Sequence, residues 1–177
     1  MTNTKKLVVL SVFAAQAIIL SIIENMIPVP LAFPGVKLGL ANLVVIVILN
    51  FFGLREALTI VFIRVLISSL YGGGFVVFLF SISGGILSTL AMYFALKLGK
   101  QNVSLWSVSI LGAILHNLGQ LIVAAIVMKD IAVLSYLPIL MVSGVVMGIF
   151  VGITGYLLIE ALIKTRVFYS YEARKER

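Results

Sequence analysis

Long apolar runs constrain this chain more than any other feature. Leu7–Ile27, Phe75–Lys97, Leu105–Met128 and Ile131–Ile163 are each almost free of charge. At about 1.5 Å per helical residue, some 20 apolar residues cross the roughly 30 Å of bilayer hydrocarbon. Each of these runs is long enough. The whole chain agrees, being 62% hydrophobic and 11% charged with a mean hydropathy of +1.24. A water-soluble domain is roughly 45–50% apolar and about 25% charged, so the outside of this fold must be covered by lipid.

Between the long runs lie two shorter ones. Leu38–Phe52 is apolar and ends at Gly53; Glu56–Tyr71 follows, with a carboxylate in its first turn where the helix dipole favours it. The expected fold is therefore an all-α, polytopic membrane helix bundle. It forms a single transmembrane domain over 1–177 with six crossings, at about 7–27, 38–52, 56–71, 75–97, 105–128 and 131–163, and a polar tail over 164–177. The short helices are tolerable if the bundle shelters them. The last run either spans with tilt or begins with a lid segment before Pro138. Lys5 and Lys6 ahead of the first run resemble a signal peptide, but the run is long and lacks a small-residue cleavage site before Pro28, so it reads as a spanning helix.

The charges test the crossing count. With the N-terminus in the cytoplasm, Lys5, Lys6, Arg55, Lys97, Lys100, Lys164, Arg166, Arg174, Lys175 and Arg177 fall inside and only Lys37 and Lys129 outside. This is the asymmetry of the positive-inside rule, and it places both termini in the cytoplasm. It also accounts for the net charge of +7 without a nucleic-acid partner.

Several chemistries are excluded. The chain has no cysteine and one histidine, so thiolate chemistry and a histidine-rich metal site are out. Asp130 is the sole aspartate, which removes aspartate-rich magnesium sites for diphosphate chemistry. There is no phosphate-binding G-x-x-x-x-G-K-[ST] loop, hence no ATP hydrolysis by that route. No catalytic residue and no cofactor is expected.

Polar residues inside a membrane are costly and need a reason. Glu24 and Asn25 end the first helix; Asn42 lies on the second; Arg64 is midway along the third; His116, Asn117 and Gln120 share one face of the fifth. Two readings are open. One is a structural network in which Arg64 pairs with Glu24. The other is a pocket facing outward, lined by Glu24, Lys37, Asn42, Arg64, His116, Asn117 and Gln120, with Arg64 and Lys37 meeting an anionic group. Pro34 and Gly35 in the first outer loop, and Tyr71 and Gly73 in the next, would shape its gate. Gly144, Gly148 and Gly152 form a face for close helix packing. Ser11 with Ala15, and Ala17 with Ser21, are small pairs four apart on the first helix.

The stretch Pro34-Gly35-Val36-Lys37-Leu38-Gly39-Leu40-Ala41-Asn42, then Leu54-Arg55-Glu56-Ala57 and His116-Asn117-x-x-Gln120, resembles a family of small bacterial membrane proteins. They are labelled heptaprenyl diphosphate synthase component I, or Gx transporter. That family resembles the substrate-binding S components of energy-coupling factor (ECF) transporters. The resemblance implies a six-helix bundle in the bacterial cell membrane that binds a small molecule, such as an isoprenoid or quinone precursor or a vitamin. It also implies a transmembrane coupling protein and two cytoplasmic ATPases as partners. S components dock through A-x-x-x-A on their first helix; here Ser11-x-x-x-Ala15 stands in its place. The alternative function is a membrane accessory subunit or enzyme of prenyl diphosphate or quinone metabolism.

Overall fold

A computed structural model describes residues 3–26, 39–71, 74–99, 103–165 and 168. They form six α-helices: α1 Asn3–Met26, α2 Leu40–Phe51, α3 Leu54–Leu70, α4 Gly74–Gly99, α5 Leu105–Met128 and α6 Leu137–Ile163. A 3₁₀ turn, Ile131–Tyr136, precedes α6. No strand occurs among the described residues. The protein is an all-α membrane helix bundle.

Four stretches are long and apolar enough to cross a bilayer: α1, α4, α5, and the 3₁₀ turn together with α6. The short second run behaves differently from a simple crossing. α2 has 12 residues, about 18 Å at the standard rise, well short of the hydrocarbon thickness. Nine of its residues are buried, from Ala41 to Phe51. A helix that is apolar all round belongs inside protein. Neighbouring helices surround α2, so its length need not match the lipid. The 17 residues of α3 reach about 25 Å.

Local chemistry sets the ends. Gly39 precedes α2 at φ +74°, and Gly53 separates α2 from α3 at φ +106°; both lie where side chains are strained. Ser104 caps α5 by accepting from Ser107 N–H. Asp130 caps the 3₁₀ turn, its carboxylate accepting from Ala132 N–H at 2.8 Å. Pro138 sits in the first turn of α6, where a missing N–H costs nothing. The chain after Asp130 therefore forms a short turn and then a helix.

Glycines set how closely α4, α5 and α6 pack. A Cβ on Gly148 would lie 2.6 Å from Ile110 Cα, and one on Gly152 2.4 Å from Trp106 Cα. The glycine face of α6 is thus spent inside the bundle, against α5. Across the other seam, a Cβ on Gly119 would meet Gly84 Cα at 3.0 Å, and one on Gly112 the Met92 side chain at 2.7 Å. Backbones this close gain dispersion contacts, which drive helix association where lipid removes the hydrophobic gain. One end of the bundle is tied by the Lys6–Glu56 ion pair and by Phe168, whose ring lies 4.4 Å from Phe51 and 6.4 Å from Phe13.

Candidate functional site

Arg64 is the centre of the site. It is the eleventh residue of α3, about 15 Å along the helix, and is only 6% exposed. Its Nη2 donates to Asn42 Oδ1 on α2 at 3.1 Å. Its Nε is buried and has no hydrogen-bond partner among the described residues. A buried guanidinium N–H left unsatisfied costs on the order of 1–3 kcal/mol.

Glu24, buried near the end of α1, faces the same cavity as Arg64 and acts on it through its charge. One partner of the carboxylate is Gly39, whose N–H donates to Glu24 Oε1. Glu24 thereby holds the start of α2, and that contact places Asn42 against Arg64. Glu24 holds the Gly39 backbone and Asn42 holds the guanidinium, while Glu24 and Arg64 face one cavity and interact through their charges.

Two small cavities adjoin here, each of about 20 Å³, room for roughly one water. The first lies among Ser21, Glu24, Asn42, Arg64, Ser68 and Ser81. The second lies among Asn42, Ser109, Asn117, Gly144, Met147 and Gly148. Gly39, Asn42 and His116 border both.

α4 makes room for this cluster. A Cβ on Gly84 would meet His116 O at 2.7 Å and His116 Cε1 at 3.2 Å. One on Gly85 would meet Val61 at 2.7 Å and Arg64 Nη2 at 3.8 Å. Adjacent glycines thus admit the histidine of α5 on one side and the arginine of α3 on the other.

The fifth-helix trio is divided. His116 reaches the cavities. Asn117 Nδ2 donates to Leu140 O at 2.8 Å, which ties α5 to the first turns of α6. Gln120 is half-buried with its Cγ toward Gly84 and borders neither cavity. Lys37, Pro34, Gly35 and Gly73 lie outside the described residues. Tyr71 follows α3 and is 77% exposed, away from the cavities. The two small pairs of α1 also part: Ala17 and Ser21 are buried, whereas Ser11 and Ala15 face outward.

Sequence reasoning passed over Ser21, Ser68, Ser81, Ser109 and the Gly84–Gly85 pair. For two serines the signal was present: Ser21 is three residues before Glu24 and Ser68 four after Arg64, so each shares a face with a chosen residue. Ser81, Ser109 and the glycines reach the site only through packing.

The family model described as heptaprenyl diphosphate synthase component I matches residues 13–158. No curated protein and no solved structure matches the chain.

Proposed function

From the premise that this chain belongs to the heptaprenyl diphosphate synthase component I family, we propose that it is a membrane subunit that binds a small anionic molecule, in the manner of an ECF S component. The observation that carries this reading is Arg64: a buried cation with an unpartnered Nε, beside a cavity it shares with Glu24, Asn42 and His116. A purely structural arginine would have its donors satisfied, because leaving one orphaned offsets what the others contribute. Guanidinium matches carboxylate and phosphate geometry, so an anionic group is the ligand chemistry that would complete it. Asn42 and His116 supply further polar contacts.

On this reading the protein sits in the bacterial cytoplasmic membrane and works with a coupling protein and two cytoplasmic ATPases. The outward face of α1 suits a partner helix. Ser11 and Ala15 are small and exposed there, and Gln16, midway along α1, is exposed beside them. Lipid offers an amide no hydrogen bond, whereas a neighbouring helix does.

Small molecules released from the gently purified protein, identified by mass spectrometry, test this reading. A stoichiometric anionic compound is expected from the wild type. Arg64→Gln should lower its occupancy at least tenfold while the protein stays folded. Unchanged occupancy would remove Arg64 from the site.

The family description favours a second reading, an accessory subunit of prenyl diphosphate synthesis. Asp130, the sole aspartate, is engaged as a turn cap, so aspartate–magnesium catalysis would have to come from a partner. Prenyl-chain elongation by the purified protein alone would favour an enzyme and overturn the binding-subunit reading.

A further inference from the structure

Cavities of about 20 Å³ hold water, not a ligand, so a wall must move for the site to fill. Part of the wall is stiff. Gly148, which lines one of the cavities, is pressed on the Ile110 backbone, and two backbones in contact have nowhere to give. Met147 differs. It is unbranched, with rotatable bonds and a soft thioether that adapts to irregular space.

Met147 also has a second neighbour. It borders the polar cavity with Asn117 and His116, and it borders an open groove of about 450 Å³ on α6 with Pro138, Ile139, Val142, Ser143 and Val146. The groove surface is hydrocarbon. Among the described residues that line it, the one hydroxyl, Ser143 Oγ, is engaged with Leu140 O at 3.0 Å. Val142 and Val146 are 67% and 58% exposed, on the side of α6 that faces lipid. Gly144 and Gly148 flank Met147 one helical turn apart and carry no side chain, and Met147 is the described residue that borders both the groove and the polar cavity.

We infer that the ligand is a single-chain amphiphile that enters sideways from the bilayer. Its carboxylate or phosphate head reaches Arg64 past Asn42 and His116, and its hydrocarbon chain lies in the α6 groove, with Met147 as the movable wall. The inference rests on the reading of Arg64 as an anion site and adds the second half of the ligand. An isolated lipid-facing groove would simply hold lipid; here Met147 adjoins a cavity whose Asn42 and His116 also border the Arg64 cavity, and a buried cation at the end of that series selects an amphiphile with an anionic head.

The test uses the full chain in lipid nanodiscs with dodecyl phosphate carrying a photoreactive diazirine midway along its chain. Labelling is expected at Val142, Val146 or Met147. Unlabelled dodecyl phosphate should suppress it at least tenfold and dodecanol should not, and Arg64→Gln should abolish it. Labelling spread evenly over lipid-facing positions such as Val8 and Phe94 would overturn the inference. If butyl phosphate binds in an Arg64-dependent way while α6 stays unlabelled, sideways entry fails and the anion site stands. If α6 labels selectively but Arg64→Gln changes nothing, the head-group assignment fails, and the proposed function with it.

Discussion

Gly152→Ala tests whether the seam between α5 and α6 is set by backbone contact. A Cβ at this position would lie 2.4 Å from Trp106 Cα and 2.9 Å from its Cβ. Ordinary carbon contacts begin near 3.5 Å, so the helices must part by roughly 1 Å. A gap of about 0.5–1 Å forfeits a quarter to a half of each contact's attraction, and overpacking of this kind costs about 1–3 kcal/mol. Against that, alanine in place of glycine favours the helix by about 1 kcal/mol. Because the contact is with backbone, which cannot rotate away, the upper end of that cost applies, and the expected net loss is about 2 kcal/mol. Gly155→Ala is the control. Its Cβ would meet only side chains, Ile46 Cγ2 at 3.1 Å and Leu43 Cδ1 at 3.5 Å, so a shift of a few tenths of an ångström relieves it and the loss should be well below that at Gly152. Unfolding by dodecyl sulfate in mixed micelles compares the two. Trp106, the one tryptophan in the chain, lies at the perturbed contact and reports its opening by fluorescence. Equal stability of Gly152→Ala and wild type, with unchanged emission, would refute the close approach. So would equal damage from both substitutions.

Other substitutions test the site and its frame. Asn42→Leu removes the acceptor of Arg64 Nη2 and should destabilise by about 1–3 kcal/mol; the same unfolding assay reads it, and the double variant with Arg64→Met should recover part of the loss. Gly39→Ala keeps its surroundings, since its Cβ would be 3.9 Å from Asn42, but forces alanine to φ +74°. A loss of about 1–2 kcal/mol is expected from backbone strain alone, and Gly39→Asn should lose less, as asparagine tolerates that region. The Lys6–Glu56 pair is partly exposed, so a double-mutant cycle with Lys6→Met and Glu56→Gln should return a coupling below about 1 kcal/mol, smaller still at high salt.

Some of this protein is written in its one-dimensional pattern. Charge-free runs near 20 residues leave a chain one stable course, which is to satisfy its backbone within helices and cover them with lipid. Helix number, the turns at Gly53 and Asp130, and the polarity of Glu24, Asn42, Arg64 and His116 are therefore legible directly. They depend only on local bonding and on the cost of polar atoms in hydrocarbon. Lateral position is another matter. Leu38–Phe52 reads as a short crossing that needs shelter; its length and all-round apolarity suit an internal helix, but which neighbours enclose α2 is settled only by packing. His116, Asn117 and Gln120 share a helical face, yet His116 and Gln120 pack at Gly84 of α4 while Asn117 is bonded to α6. Ser11 and Ala15 look like Ala17 and Ser21 in sequence, and only the side on which α2 and α3 pack turns one pair outward and the other inward. The Gly84–Gly85 pair admits the site through atoms that are absent, and Met147 becomes a boundary only because two spaces meet at it. Periodicity and polarity act along a single helix, whereas a cavity is bounded by several, so the members of the site were available from the sequence and their assembly was decided by packing.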